Sequence, residues 1–277
     1  MRAGSARRWR VGARRDGRCR DVVSGSGRGS GHLCSGGGAV TLAIVTGGAG
    51  CLGSEVSRGL ISDGHHVLVL DRAGHQPAEN LTSAVVDLTD EDSVRSAVDV
   101  GMAAHGAPAV LVTCHGWSPK GPGGRAAAGA AMPAADFLAV LRVNLLGCYL
   151  AMKTVVPAMA AAGGGRVVNV SSTSGLTGRT TASPAYAAAK AGIDALTRSF
   201  AAEYGDRGVL VSAVAPGKFR SPGWVDDPET VAGYTGGIPL GRLAEPAEIG
   251  AAIRFLVSAD NTYLTGHTMV IDGGRLA

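Results

Sequence analysis

Short apolar runs alternate with longer alanine-rich stretches between residues 42 and 271. Runs of this length and composition are typical of parallel strands that are buried on both faces. They lie at residues 42–45, 66–70, 109–112, 166–170, 209–214 and 268–271, with a shorter one near 84–86. The alanine-rich stretches predict helices near residues 51–62, 91–104, 134–161, 184–204 and 246–258. This alternation predicts an α/β fold, a doubly wound parallel sheet in a single domain over residues 41–277, with ligands at the carboxyl ends of the strands.

A glycine-rich turn joins the first predicted strand to the first predicted helix. Residues Thr46 to Gly53 read TGGAGCLG. Glycines let the backbone approach a pyrophosphate closely, and the N-terminus of the helix supplies free N–H groups and the positive end of its dipole. We therefore assign Gly47, Gly50, Leu52 and Gly53 to a dinucleotide site. The alternative is a glycine turn that binds no ligand.

An acidic residue ends the second predicted strand. Asp71 lies 18 residues after Gly53, where its carboxylate can accept hydrogen bonds from the adenosine ribose hydroxyls. The same carboxylate would repel a 2′-phosphate, so the sequence predicts a Rossmann-like site that prefers NAD. Use of NADP stays open, because Arg72 follows immediately and can reach a phosphate or stack on adenine.

Tyr186 and Lys190 are four residues apart in a predicted helix, so they lie on one face and one turn apart. A nearby cation favours the deprotonated form of a phenol, which makes such a pair suited to proton exchange with an alcohol or carbonyl oxygen. Ser172, in the preceding segment Asn169-Val-Ser-Ser172, can hold that oxygen beside the phenol. An ordinary helix pair is the competing interpretation of the spacing alone.

With these motifs in this order, residues 41–274 resemble the compact, single-domain subgroup of the short-chain dehydrogenase/reductase family. The resemblance implies that Asn144, Ser172, Tyr186 and Lys190 form the catalytic tetrad. Tyr186 would be the acid/base, and Lys190 would hold the nicotinamide ribose as well as tune Tyr186. Ser172 would position the substrate oxygen, and Asn144 would hold a water that connects Lys190 to solvent.

The resemblance also extends the predicted cofactor site. Asp87, with Leu88 beside it, is similar to the family's acid that contacts the adenine ring. Gly116 is similar to the glycine after the fourth strand, and Pro216 and Gly217 open the loop on the nicotinamide side.

Three positions depart from the family pattern. Cys51 stands where the compact subgroup has its second glycine, so the loop spacing fits the larger, extended subgroup. Only 87 of the 277 residues follow Lys190, which leaves little room for that subgroup's added domain. The Asn-Asn-Ala-Gly of the family is Thr-Cys-His-Gly116 here. The usual serine-to-tyrosine spacing, counted back from Tyr186, lands on Thr173 and not on Ser172.

The positive charge of the chain is concentrated in its first 40 residues. They contain nine Arg, two Asp and no Lys, so they carry a net charge of +7. The whole chain has a net charge of +4, which leaves −3 for the remaining residues. This tail is rich in Gly and Ser and predicts disorder. One interpretation is that the tail is a nucleic-acid arm or a transit peptide. The other is that it is an upstream extension without a role, in which case the working protein starts near Val40 or Thr41. The charge of the remaining domain gives no basis for a nucleic-acid surface. No apolar run in the sequence resembles a secretory signal or a membrane span.

The cysteines and histidines do not indicate a metal centre or a disulfide framework. The five cysteines have neither paired nor zinc-type spacing, which favours a reducing, cytoplasmic compartment. His115 is the histidine that we place near the cofactor cleft, with loop packing favoured over catalysis.

The sequence therefore predicts a nicotinamide-dependent oxidoreductase that acts on a small carbonyl or secondary-alcohol substrate. Two alternatives remain at this point: an epimerase or dehydratase that retains its NAD, suggested by the glycine spacing, and a nucleotide-binding regulator without catalysis. The resemblance also implies a homotetramer assembled through the helices near residues 134–161 and 184–204. Trp117, Phe219 and Trp224 either line an apolar substrate pocket or serve packing.

Overall fold

All seven strands of the computed structural model, which describes residues 40–76, 78–119, 129–178, 182–221 and 228–277, form one parallel sheet. The strands are β1 (Leu42–Thr46), β2 (His66–Asp71), β3 (Leu81–Val85), β4 (Pro108–Thr113), β5 (Gly165–Val170), β6 (Val209–Pro216) and β7 (Thr268–Ile271). The described helices are α1 (Cys51–Ser62), α2 (Glu91–His105), α3 (Ala134–Leu141), α4 (Gly147–Ala161), α5 (Pro184–Tyr204), α6 (Pro228–Thr235) and α7 (Pro246–Val257). The predicted α/β class with a doubly wound parallel sheet is confirmed.

The strand order is β3-β2-β1-β4-β5-β6-β7, so the direction of winding reverses between β1 and β4. Thr46, the last residue of β1, is in register with Thr113, the last residue of β4. The loops that follow these two strands leave the sheet in opposite directions, which opens a crevice between them. This crevice is where an open α/β sheet binds its ligand.

Two apolar layers cover the two faces of the sheet, as continuous apolar strands require. Leu42 and Ile44 of β1 pack into one layer, together with α2, α4 and α5. Ala43 and Val45 pack into the other, together with α1 and α7. All four side chains are fully buried, so β1 has no solvent-facing side and its pattern shows no alternation.

The structure corrects two of the predicted elements. The strand expected near residues 84–86 is β3, which begins three residues earlier and is half-exposed because it lies at the edge of the sheet. The single helix expected over residues 134–161 contains a π-helical turn, Arg142–Leu146, between α3 and α4. Such turns shift the backbone hydrogen bonds by one residue and occur frequently at functional sites.

By length and composition alone, the helical segment Ala134–Ala161 could span a membrane, although the sequence pattern predicted no such span. Its most apolar window has a mean hydropathy of 1.5. Length and composition alone are weak grounds for a span, because the core helices of globular proteins meet the same criteria. In this protein Met152, Val155, Val156 and Met159 of α4 are fully buried against the sheet.

The predicted tail, residues 1–40, lies outside the described residues except for Val40. Both interpretations of the tail therefore stay predictions. Trp224 and most of the segment between Trp117 and Pro133 also lie outside the described residues.

Candidate active site

A cleft of about 490 Å³ lies at the carboxyl ends of β1, β4, β5 and β6. Many of the predicted site residues line it together: Gly47, Gly50, Leu52, Gly53, Gly116, Ser172, Tyr186, Lys190, Pro216 and Gly217. Asn144, Asp71, Arg72, Asp87 and Leu88 are not among its lining residues. Gly53 and Tyr186 are 133 residues apart in the sequence, and the topology brings the glycine turn and the Tyr186/Lys190 pair into one cavity.

The glycine turn is held by close backbone packing. Gly47 has a φ of 70°, and a Cβ there would lie 2.5 Å from the backbone of His115. A Cβ on Gly53 would lie 2.1 Å from the carbonyl oxygen of Gly47. Neither position accepts a side chain without moving the backbone, so both glycines are required by the turn itself.

The first turn of α1 offers a cradle that fits a pyrophosphate. Gly50 is the N-cap, and no side chain caps this end of the helix. The N–H groups of Cys51, Leu52 and Gly53 are in the first turn, where no intrahelical acceptor exists. These groups, with the helix dipole, would hold the phosphates of a nicotinamide dinucleotide.

Cys51 occupies the position of the missing glycine as the first residue of α1. Its thiol lines the cleft, 3.9 Å from the carbonyl oxygen of Arg220. Burial and the nearby carboxylates Glu55 and Glu245 raise the pKa of this thiol. The side chain is therefore a neutral part of the cleft wall, and the helix begins here without a strained backbone.

The Tyr186/Lys190 pair is positioned by the start of α5. The Ser183 side chain caps the helix by accepting a hydrogen bond from the Tyr186 N–H at 3.3 Å, and Pro184 occupies the first turn. The Lys190 ammonium lies 5.5 Å from the centroid of the Tyr186 ring. It donates a 2.7 Å hydrogen bond to the carbonyl oxygen of Val170, and Lys190 is only 2% exposed.

The two candidate hydroxyls after β5 differ in what they contact. The Ser172 hydroxyl accepts a hydrogen bond from the Ser174 N–H at 3.1 Å, which leaves its own proton available for donation. The Thr173 hydroxyl donates to the carbonyl oxygen of Pro216 at 3.4 Å. Because the proton of Thr173 is engaged, this geometry favours Ser172 as the donor to a substrate oxygen.

Asn144 lies in the π-helical turn behind the cleft and is fully buried. Its side-chain amide donates to the carbonyl oxygens of Trp117 and Val140 at 2.8 and 2.9 Å, and its oxygen accepts from the Trp117 N–H at 3.0 Å. A Cβ on Gly116 would lie 3.2 Å from that oxygen and 3.7 Å from the Lys190 ammonium. Asn144 therefore holds the loop after β4 beside Lys190.

The predicted adenosine-side residues lie at the ends of β2 and β3. The Asp71 carboxylate accepts from the N–H groups of Ala49 in the glycine turn and Ala73, at 3.1 and 3.0 Å. Asp87 is exposed, and the N–H and hydroxyl of Thr89 lower its pKa. Arg72 is exposed, whereas Leu88 packs against the apolar core.

His115 links the loop after β4 to the last residue of β1. Its Nδ1 lies 2.6 Å from the Thr46 hydroxyl. Burial, followed by the charge of Lys190, lowers the pKa of His115 to about 3. A neutral imidazole of this kind packs the loop and carries no positive charge at neutral pH.

The cleft also includes residues that are not among the predicted site residues. Lys218, Tyr234, Arg275 and Leu276 line it. They lie after β6, in α6 and at the C-terminus, and no motif marks them. Trp117 and Phe219 line it as well, as one of the two sequence interpretations proposed. Within the described ranges there is no cluster of His, Cys, Asp and Glu that could hold a metal ion.

Comparison with known proteins identifies the family. Residues 47–275 match a family model described as enoyl-(acyl carrier protein) reductase. The chain belongs to the short-chain dehydrogenase/reductase family. It is therefore an oxidoreductase that transfers a hydride between a nicotinamide cofactor and an alcohol or carbonyl substrate, and the epimerase or dehydratase alternative is not favoured.

Several named relatives span nearly the same length as this short-chain dehydrogenase. It is 36% identical over 249 residues to a cis-4-hydroxycyclohexanecarboxylate dehydrogenase of Sinomonas cyclohexanicum, covering 85% of this chain and 96% of the relative. It is 34% identical over 245 residues to a 3-alpha-(or 20-beta)-hydroxysteroid dehydrogenase of Mycobacterium bovis, covering 85% and 89%.

Solved structures agree with this assignment. ElxO with NADP bound has a TM-score of 0.78 and 27% identity, covering 86% of this short-chain dehydrogenase and 99% of ElxO. A 3-oxoacyl-[acyl-carrier protein] reductase with bound NAD from Brucella melitensis has a TM-score of 0.76 and 26% identity, covering 85% and 91%.

We predict that Ser172→Ala lowers turnover far more than Thr173→Ala does. Removing one donor to a reacting oxygen typically costs roughly 10²–10³-fold in kcat, whereas Thr173 loses only a long contact to Pro216. Steady-state rates of the two variants, compared at matched thermal stability, test this expectation. The reverse ranking would move the assignment to Thr173.

Proposed function

We propose that this short-chain dehydrogenase uses NAD and that Tyr186 is its acid/base. The observation that carries the proposal is the placement of the Tyr186/Lys190 pair and the Ser172 hydroxyl in the same cleft as the pyrophosphate cradle. A dinucleotide seated on α1 would thereby have its reactive end close to a proton donor. The hydride comes from, or returns to, the bound nicotinamide ring.

The residues of the chain handle the proton that accompanies the hydride. In the reducing direction Tyr186 donates its proton to the substrate oxygen, while the Ser172 hydroxyl donates a hydrogen bond to the same atom. The Lys190 ammonium stabilises the phenolate that remains, and it would also hold the nicotinamide ribose. A proton from solvent then restores Tyr186, and Asn144 would hold a water in that path.

Asp71 supports the choice of NAD over NADP. Its carboxylate accepts a hydrogen bond from the Ala49 N–H in the glycine turn. Asp71 is also the last residue of β2, the strand next to β1. A 2′-phosphate placed beside this partly buried carboxylate would meet a like charge, where repulsion is stronger than in bulk water. Related structures hold either NADP or NAD, so the fold accommodates both.

The substrate proposed is a small carbonyl compound or secondary alcohol. Two of the relatives are named for a hydroxylated cyclohexanecarboxylate and a hydroxysteroid, both of which carry a secondary alcohol on a ring. Cyclic ketones and alcohols are therefore the first substrates to assay for this enzyme. We also propose a cytoplasmic location, in keeping with the unpaired thiols of Cys51, Cys114 and Cys148.

A homotetramer is supported by two separate apolar surfaces. On α4 and α5, Tyr149, Phe200 and Tyr204 form an aromatic cluster, and Tyr149 is 37% exposed. Val270 of the edge strand β7 and Phe255 of α7 are also exposed. Two different self-complementary surfaces per subunit are what a closed tetramer with dihedral symmetry requires.

Tyr186→Phe is expected to abolish turnover and to leave NAD binding nearly unchanged. The phenol proton is used only in the chemical step, and loss of a positioned acid/base costs ~10²–10⁴-fold. NAD affinity by calorimetry and NADH-dependent ketone reduction measure the two effects. Tyr263→Phe, at a residue that is 96% exposed, serves as the matched control. A variant that kept most of its rate would refute the role of Tyr186.

Asp71→Ala is expected to shift cofactor preference towards NADP. The ratio of kcat/KM for NAD over NADP should fall by at least about tenfold, or ~1.4 kcal/mol. Asp71→Asn removes the charge and keeps one side-chain oxygen, so it retains an acceptor for only one of the N–H groups of Ala49 and Ala73, which donate to different carboxylate oxygens. Comparison with Asp71→Ala, which keeps neither acceptor, shows how much of the shift comes from loosening of the turn. Asp99→Ala, on the exposed face of α2, is the control. A wild type that favours NADP would contradict the proposal.

Light scattering at micromolar concentration should give the mass of a tetramer. Tyr149→Lys should lower that mass, because a charge would be buried at the proposed interface of α4 and α5. Val100→Lys, on the exposed face of α2, should not change the mass. A monomeric wild type would rule the assembly out.

A further inference from the structure

The described walls of the cleft carry positive charge only. Lys190, Lys218 and Arg275 line it, and no Asp or Glu is among the lining residues in the described ranges. Lys190 belongs to the proton machinery, and the phosphates of the dinucleotide have the N–H groups of α1. The charge of Arg275 is therefore not needed by either of these functions.

Arg275 lies on the far side of the cleft from the pyrophosphate cradle. The cradle follows β1 and Arg275 follows β7, and β4, β5 and β6 lie between these two strands. Four strand spacings correspond to about 19 Å. Ser172, which follows β5, lies between the two. A group held by Arg275 would thus lie beyond the reacting oxygen, on the side away from the cofactor phosphates.

The segment that carries Arg275 is held by its own hydrogen bonds and by close packing. The Asp272 carboxylate accepts from the N–H groups of Gly274 and Leu276, at 2.9 and 2.8 Å. Gly273 has a φ of 67°, and a Cβ there would lie 2.7 Å from the side chain of Ile238. The carboxylate nearest to Arg275 in sequence is thus occupied with main-chain donors.

The guanidinium group of Arg275 has a neutral protein partner. Its Nη1 donates to the carbonyl oxygen of Tyr234 in α6 at 2.9 Å. None of the ion pairs between described residues includes Arg275, which is half-buried. A guanidinium has five donors in a planar fork, so this contact leaves donors for an anion.

The cleft also offers apolar surface. Phe219 and Leu276, the sequence neighbours of Lys218 and Arg275, line it, and so does Trp117 after β4. The Lys218 ammonium lies 5.3 Å from the centroid of the Tyr234 ring, so a second cation flanks the residue that holds Arg275. An organic acid with an apolar body and one remote carboxylate complements this arrangement.

We propose that Arg275 binds a carboxylate of the substrate and that the enzyme therefore prefers keto acids or hydroxy acids whose acid group is remote from the reacting carbon. The inference rests on the proposed oxidoreductase function of the same cleft. Carboxylates are planar and match the guanidinium fork with two parallel hydrogen bonds. The apolar wall contacts the chain or ring between the two functional groups.

The test uses three keto acids of increasing length, 4-oxopentanoate, 5-oxohexanoate and 6-oxoheptanoate, each beside its methyl ester. Wild-type enzyme should reduce at least one acid with a clearly higher kcat/KM than its ester. Arg275→Gln should lower kcat/KM for that acid roughly 10- to 100-fold, as expected for a charge-assisted hydrogen bond, mainly through KM. The ester should be unaffected. Arg275→Lys should retain part of the preference, because it keeps the charge and loses the fork.

Two further measurements separate this role from others. Raising the ionic strength should increase KM for the acids and leave KM for the esters unchanged. NAD affinity by calorimetry should be the same in wild type and Arg275→Gln. Arg95→Gln, at an exposed arginine of α2, is the control for loss of a surface charge.

The contrary outcomes are distinct. Equal use of acids and esters by the wild type, or an unchanged preference in Arg275→Gln, would overturn the proposal. So would a fall in NAD affinity together with an equal loss for acids and esters, since Arg275 would then serve the cofactor. If no ketone is reduced, the proposed preference for small carbonyl substrates fails. Calorimetric titration of the same acids into the NAD-saturated protein then tests whether Arg275 binds a carboxylate. The proposal requires that the wild type binds an acid and that Arg275→Gln abolishes this binding.

Discussion

Burial of the Lys190 ammonium is the constraint on which the organisation of the site depends. An ammonium that is removed from water must find hydrogen-bond acceptors or favourable electrostatic partners in the protein. Here the carbonyl oxygen of Val170 accepts its hydrogen bond, and the ring of Tyr186 lies beside it. Because Val170 is the last residue of β5 and Lys190 is in α5, one contact sets the position of the helix against the end of the strand. The placement of Ser172, two residues further along, follows from the same contact.

The surroundings of Lys190 avoid a second buried positive charge. His115 stays neutral, because burial and the charge of Lys190 both lower its pKa. Cys114 is also neutral, since burial raises the pKa of its thiol to about 12. The Thr-Cys-His-Gly116 segment of this chain is thus uncharged, like the Asn-Asn-Ala-Gly segment of the family pattern. Its side chains differ from those of the family, but the close approach of Gly116 to Asn144 and Lys190 is present.

The glycine turn tolerates Cys51 for a different reason. At Gly47 and Gly53 the neighbouring atoms are backbone, and backbone cannot move away from an added Cβ. At position 51 the side chain is directed to the cleft, near the carbonyl oxygen of Arg220. A glycine is therefore structurally required at Gly47 and Gly53 but not at position 51. The departure in spacing, which at the sequence level suggested the extended subgroup, is accommodated within a compact fold.

Much of the fold could be predicted because its signals are local. The apolar runs, the glycine turn after β1, the acid at the end of β2 and the spacing of Tyr186 and Lys190 each occupy a short continuous segment. Such patterns reflect backbone geometry and burial, which neighbouring residues determine largely by themselves. The shared cleft was also foreseeable, since parallel strands present their carboxyl ends at one edge of a sheet. The individual roles of the site residues, which follow from the family resemblance, remain predictions.

The sequence by itself thus determined the fold class, the order of elements and the chemistry of the candidate site. The tertiary structure decided the π-helical turn around Asn144, the engagement of the Thr173 hydroxyl by Pro216 and the entry of Arg275 into the cleft. The contact between the Thr173 hydroxyl and Pro216 joins residues that are 43 apart, and the contact between the Arg275 guanidinium and Tyr234 joins residues that are 41 apart. No local pattern encodes a contact of that kind, because it depends on how β6, α6 and the C-terminal turn pack once the sheet has formed.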